Sequence, residues 1–429
     1  RRAARAPGKL PPMSHDADVL VLGGGVVGLA CAHYLLAEGR SVRVLDAGKV
    51  GGGSSWGNCG TITPSHAAPL AAPGMAWRGL RWMLSPGAPL YIKPRWDPAL
   101  MRWLARAAGR CNARDWRASG LAKGALLKYS RALLEDLVYG QGLDCGFEAG
   151  GLHYVFRTAR ALEHQQRELG LLAELGIPAR VLDAATLAAD EPALKPGLAG
   201  AIHFPGDAQL RPDRYSAELA RIVREAGGVI EEGVRVNGFE RGRNGVEAVQ
   251  TSEGRRSGAR VVLAMGAWSA GFANNLGLPI PIQPGKGYSI TFDRPALVPR
   301  RPLVLKERSV CVTTWADGFR LGSTMEFSGF DDSLNPRRLA ALEKGAAEYL
   351  REPVGPVRHE QWFGWRPMMA DDLPLLGRAP GYNNLFLATG HGMMGVGMSA
   401  GTGRLLADLM TGRAPAIDPA PYSPARLAG

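Results

Sequence analysis

The sequence predicts an α/β fold: a parallel βαβ domain assembled from discontinuous segments, joined to an α+β domain with a large, mainly antiparallel sheet. Three observations carry that expectation. Residues 19–46 read VLVLGGGVVGLACAHYLLAEGRSVRVLD: an apolar strand, a glycine-rich turn, a small-residue helix and a second apolar strand. Two further apolar strands run into glycine turns far downstream, 259–263 before Ala264-Met265-Gly266 and 385–388 before Thr389-Gly390. Between them, residues 284–330 alternate turn residues with short β-rich runs, a hairpin pattern and not a βαβ pattern.

Taken in order, the first twelve residues are basic and lack the apolar core of a signal peptide, so 1–13 reads as a leader or tail ahead of a start at Met13. In the βαβ unit Gly23 permits the tight turn and Gly25 lets the backbone approach a pyrophosphate. Gly28 lets the helix pack on the strand, and the helix N-terminus at Val26 and Val27 offers N–H groups to phosphate. Asp46, 18 residues after Gly28, stands where a carboxylate accepts bonds from ribose hydroxyls. A carboxylate there disfavours a 2′-phosphate, but the motif alone does not separate FAD from NAD.

Residues 54–66 are small, polar and turn-prone, as suits a loop along a cofactor. Leucines three and four apart predict helix through much of 98–140, and 159–175 predicts another helix, ended by Gly176 and Pro178. A helix over 214–226 follows Arg211-Pro212-Asp213, with short strands at 229–232 and 234–236. Strands at 288–292, 310–314 and 319–321, a helix over 337–349 and a last helix from 395 to about 410 complete the reading. The expected division is 14–70, 204–276 and 358–429 for the first domain, and 71–203 and 277–357 for the second.

Composition narrows the function classes. The 429 residues are 46% hydrophobic and 21% charged, ordinary for a globular protein. No apolar run reaches the ~18–20 residues that span a bilayer. The five cysteines are scattered and form no C-x-x-C pair, which speaks against a disulfide framework or zinc site and for a reducing, cytoplasmic setting. No metal is expected, and the histidines His15, His33, His66, His153, His164, His203 and His359 read as surface or core. Segments 1–12 and 74–117 carry +11 of the net charge of +12, so a general nucleic-acid-binding surface loses its support. Segment 74–117 also holds five of the ten tryptophans: Trp77, Trp82, Trp96, Trp103 and Trp116. It reads either as a peripheral contact with the inner face of the cytoplasmic membrane or as helix with core tryptophans and solvated arginines.

Five motifs choose among cofactors: GGGVVG (23–28), SSWGNCG (54–60), GKGYSIT (285–291), GWRPMMADDLPLLG (364–377) and TGHGMMG (389–395). Together they resemble the FAD-dependent amine and D-amino acid oxidoreductases, the family of glycine oxidase, sarcosine oxidase and D-amino acid dehydrogenase, over residues 17–425. The resemblance implies an FAD-binding Rossmann-like domain. It places Ser54 and Ser55 at the pyrophosphate, Asn58 and Gly60 near the flavin, the Val236 backbone at adenine and Gly266 against the cofactor. Gly390, Gly392, Met393, Met394 and Gly395 open a helix whose N–H groups face the flavin C2 carbonyl. The flavin is expected to be non-covalent. Relatives that tether it use a Cys beside the stretch matching 364–367, here Gly-Trp-Arg-Pro, or a His at the position of Gly57.

The same resemblance gives Arg366 the substrate carboxylate, with a structural pairing to Asp371 or Asp372 as the other reading. Tyr288 either aims a hydroxyl at the substrate or is a sheet aromatic. His391 either touches substrate or flavin or caps and packs. The implied reaction is hydride transfer from Cα of a D-amino or D-imino acid to flavin N5. It gives an imine and then a 2-oxo acid, or a pyrroline carboxylate from D-proline or cis-4-hydroxy-D-proline. Sarcosine oxidases have an oxygen-activating Lys where this chain has Arg320, which points to quinone as acceptor. The alternatives are a glycine- or sarcosine-type oxidase using O2, and a flavin-binding subunit inactive without its partner.

Overall fold

The computed structural model describes residues 15–75, 90–243 and 245–427. The opening unit forms as the glycine pattern requires: β1 (Ala17–Leu22), α1 (Val26–Ala37) and β2 (Val42–Leu45), with β1 and β2 parallel and Val19 beside Val42. Strand Gly258–Leu263 flanks β1 in parallel and Leu385–Thr389 follows it; Leu375–Arg378 closes that edge antiparallel. Val229–Glu231 pairs with β2 at the other edge. The central strands are buried on both faces, which is why they read as unbroken apolar runs. Val19 and Val21 face one core cluster, Leu20 and Leu22 the other. On one face α1 packs directly on the last helix, Gly395–Thr411. A side-chain carbon at Gly403 would lie 2.6 Å from the Ala30 backbone, so glycine permits that approach.

The second sheet has nine strands. In order they are Arg358–Met368, Gln283–Phe292, Gly318–Phe327, Val310–Trp315, Leu303–Leu305, Leu152–Phe156, Gly200–Phe204 and Arg180–Asp183, with Leu90–Ile92 on Gly318–Phe327. It is antiparallel except where Leu303–Leu305 meets Leu152–Phe156 and where Leu90–Ile92 joins. Helix Pro336–Ala347 covers one face, burying Leu339, Leu342 and Ala346 against Ile290, Phe319 and Leu321.

Several expectations shift. Residues 358–368 do not open the third piece of the first sheet; they form the edge strand of the second, and the chain re-enters the first at Leu375. The helix expected over 159–175 divides into Ala159–Gln166 and Leu169–Glu174, and the 98–140 stretch into Pro98–Gly109, Ala113–Glu135 and a final turn. The strand expected over 234–236 begins only at Val236 and runs to Arg241, in an antiparallel meander with Val246–Thr251 and Gly254–Arg256. The leader reading of 1–13 lies outside the described residues.

Candidate active site

One elongated cavity of about 1740 Å³ runs between the two sheets. That exceeds the ~300–1,000 Å³ of a drug-sized pocket and leaves room for a long cofactor and a substrate together. Its wall includes Gly23, Gly25, Val26, Val27, Asp46, Val236 and Gly266, with Ser54, Ser55 and Asn58, and with Gly392, Met393, Met394 and Gly395. Three expected cofactor residues are not on the wall, each for a steric reason. A side-chain carbon at Gly28 would lie 1.9 Å from the Gly23 carbonyl oxygen, so this glycine sets the helix–strand approach. Gly60 (φ +73) and Gly390 (φ +83) hold left-handed turns, against the Leu210 carbonyl and the Met369 side chain.

The polar groups on the wall are already ordered. Asp46 accepts from the Gly24 and Gly48 N–H groups at 2.7 and 2.8 Å, fixing the glycine turn and its own carboxylate. Ser55 accepts from the Val26 N–H at 3.2 Å, and Ser54 donates to the Trp365 carbonyl. Asn58 accepts from the Gly60 N–H at 2.8 Å. Two helices, α1 and Gly395–Thr411, begin on this cavity, and neither N-cap residue caps its own helix with a side chain. Each presents backbone N–H groups and the positive end of a helix dipole.

Arg366 comes from the edge strand, opposite Gly285, and its side chain crosses the neighbouring strand over Gly287. A side-chain carbon at 287 would lie 2.3 Å from the guanidinium carbon. Nη1 of Arg366 donates to the Thr324 carbonyl at 2.6 Å. That carbonyl is turned inward where Ser323 and Thr324 adopt φ of 110° and 63°. Asp371 and Asp372 are not its partners: Asp371 pairs with Arg426 at 3.2 Å and Asp372 with Lys123 at 2.6 Å. Among the described residues no carboxylate forms an ion pair with Arg366, and burial lowers its pKa. A guanidinium on a cavity wall that no carboxylate pairs with is a ready anion site.

Tyr288 combines its two readings: it lines the cavity wall and also packs in the sheet core with Ile290 and Phe292, and its hydroxyl donates to Glu326 at 3.3 Å. His391 lines the wall, shares a hydrogen bond with Thr402 at 2.9 Å, and is pushed down to about 3 by burial, so it is neutral. Sequence reasoning missed His66, which is on the wall against the Tyr154 hydroxyl at 2.8 Å and likewise driven to about 3 by burial. Its signal was its place at the end of the turn-rich loop. Trp362 was missed as well. Side-chain carbons at Gly57 and Gly364 would fall 2.1 and 2.2 Å from its indole, so a histidine at 57 has no room.

Arg320 is off the wall, donating to Thr291 and to the carbonyls of Trp56 and Asn58. Of the tryptophans in 74–117, Trp103 is core and donates to the Met368 carbonyl, while Trp96 is 90% exposed; Trp77 and Trp82 lie outside the described residues. Among the described residues, no helix is long and apolar enough to cross a membrane and no disulfide joins the cysteines. His153, read as core, does meet Asp190 and Glu191, but Arg301 sits 2.9 Å from Asp190 and supplies the positive charge there.

Residues 18–409 match the family model described as FAD dependent oxidoreductase. The chain belongs to the FAD-dependent oxidoreductase family. Its relatives include proteins named D-amino acid dehydrogenase from Granulibacter bethesdensis, 34% identical over 96% of this chain and all of that protein, and from Methylobacterium nodulans, 36% identical over 93% and 96%. Among solved structures it is similar to glycine oxidase from Geobacillus kaustophilus, with a TM-score of 0.77, 25% identity, and coverage of 97% of this chain and all of that one. The fold is also that of L-proline dehydrogenase from P. horikoshii, with a TM-score of 0.73, 19% identity, and coverage of 97% and 99%. The family's FAD suits this cavity. A glycine cradle admits no side chain at its tightest point, and an ordered carboxylate and a second helix start stand on the same wall.

Proposed function

We propose that the protein oxidises a D-amino or D-imino acid at Cα, with Arg366 binding the substrate carboxylate and a quinone as the onward acceptor. The observation that supports it most is the Arg366 guanidinium, held on the cavity wall by a carbonyl and, among the described residues, by no carboxylate. Two parallel N–H groups of such a fork bind a carboxylate and fix the direction of the Cα–H bond. FAD, when bound, supplies the two-electron acceptor for the Cα hydride. Gly23, Gly25, Val26, Val27, Ser54 and Ser55 would hold its pyrophosphate, Asp46 its ribose, and the Val236 backbone its adenine. Asn58, Gly266 and Gly392 to Gly395 would line the flavin end.

No side chain is required as a base if the amine arrives neutral, and His66 and His391 on the wall remain neutral near pH 7. The relatives' names favour a D-amino acid; D-proline and cis-4-hydroxy-D-proline are the specialised candidates. Arg320 favours the dehydrogenase reading, because its guanidinium is committed to the 56–58 loop and is not on the cavity wall. The exposed Trp96 beside the basic helix Pro98–Gly109 is compatible with a peripheral membrane contact. Arg366→Lys tests the carboxylate site: KM is expected to rise about tenfold or more while the flavin stays bound. An unchanged KM removes the assignment.

A further inference from the structure

Two thiols on the cavity wall have no part in amine oxidation. Cys59 lies in the loop that follows β2, and Cys311 in the strand Val310–Trp315. A glycine brings them together. Cys311 is paired in register with Gly322 on the neighbouring strand. The Cys59 sulfur sits over Gly322, 2.4 Å from where a side-chain carbon at that position would be. The two thiols therefore adjoin each other on one face of the sheet. The neighbouring Cys311 thiol, with the nearby charges of Arg320 and Arg366, holds Cys59 below its ordinary range, and its neighbour and burial push Cys311 above its own. A thiol beside two guanidinium groups, next to a second, buried thiol, is the arrangement of a nucleophilic thiol and its resolving partner.

We propose that Cys59 and Cys311 are an oxidant-sensitive dithiol, a modification site at which a hydroperoxide closes a reversible disulfide between the cofactor-side loop and the substrate-side sheet. The Cys59 sulfur attacks the terminal peroxide oxygen. The O–O bond breaks, Cys59 becomes a sulfenic acid, and the other oxygen leaves with the thiol proton as an alcohol, or as water from hydrogen peroxide. The Cys311 sulfur then displaces the hydroxyl from Cys59, forming the S–S bond and releasing water with its own proton. The two sulfurs together lose two electrons and the peroxide gains them. Because Arg366 is one of the cations favouring the Cys59 thiolate, a carboxylate bound there slows the oxidation; this coupling rests on the reading of Arg366 above.

The test is peptide mapping of the FAD-loaded protein after brief exposure to hydrogen peroxide, with alkylation of the remaining thiols and proteolysis without reductant. A peptide joining Cys59 to Cys311, abolished by dithiothreitol, with Cys31 and Cys145 still alkylated, is the expected product. In Cys311→Ser that peptide is lost and dimedone labels Cys59. No such peptide in the wild-type protein, or cross-links spread equally over other cysteines, overturns the proposal. Saturating acetate is expected to slow the linkage severalfold, and an unchanged rate overturns the coupling to Arg366. Mapping needs no turnover, so its outcome is separate from that of the substrate reading.

Discussion

Gly287 sets the position of Arg366 as much as Arg366 does. The guanidinium lies flat across the sheet only because the strand beneath it has no side chain at that point. Gly287→Ala puts a methyl group against the flexible end of Arg366 and not against backbone, so the fold and flavin binding are expected to survive. KM for the amino acid is expected to rise about tenfold or more, as when a charge-assisted contact is lost; an unchanged KM would show that the guanidinium does not need this path. At this scale the sequence was partly legible. Arg366 stood out because G-W-R-P carries a family resemblance, whereas Gly287 looked like an ordinary sheet glycine, its partner lying on the neighbouring strand but far on in the sequence. Tyr288 carried two readings because one step along a strand reverses the face, and nothing in GKGYSIT says which face meets the cavity.

Elements differ in how openly they declare themselves. β1, α1 and β2 were readable because the apolar runs and the three glycines each have one geometric purpose. The edge strand Arg358–Met368 was not, since its motif runs on without a break into residues of the first sheet. Nor was the inward turn of Thr324, which uses positive φ at Ser323 and Thr324, neither of them a glycine. The helix Ala113–Glu135 hides a further case. Lys123 reads as a solvated helix charge, yet it is 1% exposed and bonded to Asp372 beside the cavity. Asp372 has φ +59, so the pair also fixes a strained turn between the two sheets. Lys123→Met leaves that carboxylate buried without its cation and is expected to destabilise the protein by about 3–5 kcal/mol in denaturant unfolding. Lys123→Met combined with Asp372→Asn is expected to recover part of the loss. A single variant as stable as the parent would show that the pair is not closed in solution.

Across the whole molecule, the cavity is where two sheets from interleaved segments meet, and burial there decides protonation. Burial pushes His66 and His391 down to about 3 and His153 to about 4. The unfolded chain titrates its histidines near pH ~6.5. Below that value the unfolded state binds protons that these native histidines do not, so they lower stability as pH drops toward 4, while Glu191 and Asp207, raised to about 7 by burial, act in the opposite direction. His391→Gln removes one of the destabilising groups, so its thermal midpoint is expected to be less acid-sensitive than the parent's; an identical pH profile would contradict the buried, neutral assignment. The interleaving was legible from the recurring strand-to-glycine turns. The course of the cavity between the sheets was not, because it depends on how two independently patterned sheets face each other.

The central claim is that this cavity presents a carboxylate-bearing D-amine to a flavin. Anaerobic addition of D-proline, cis-4-hydroxy-D-proline, D-alanine and sarcosine, followed by flavin absorbance, tests it most directly. Bleaching by at least one of the D-compounds, not by its L-enantiomer, and only at higher concentration in Arg366→Lys, is the expected result. A flavin that stays oxidised with every compound would contradict the account.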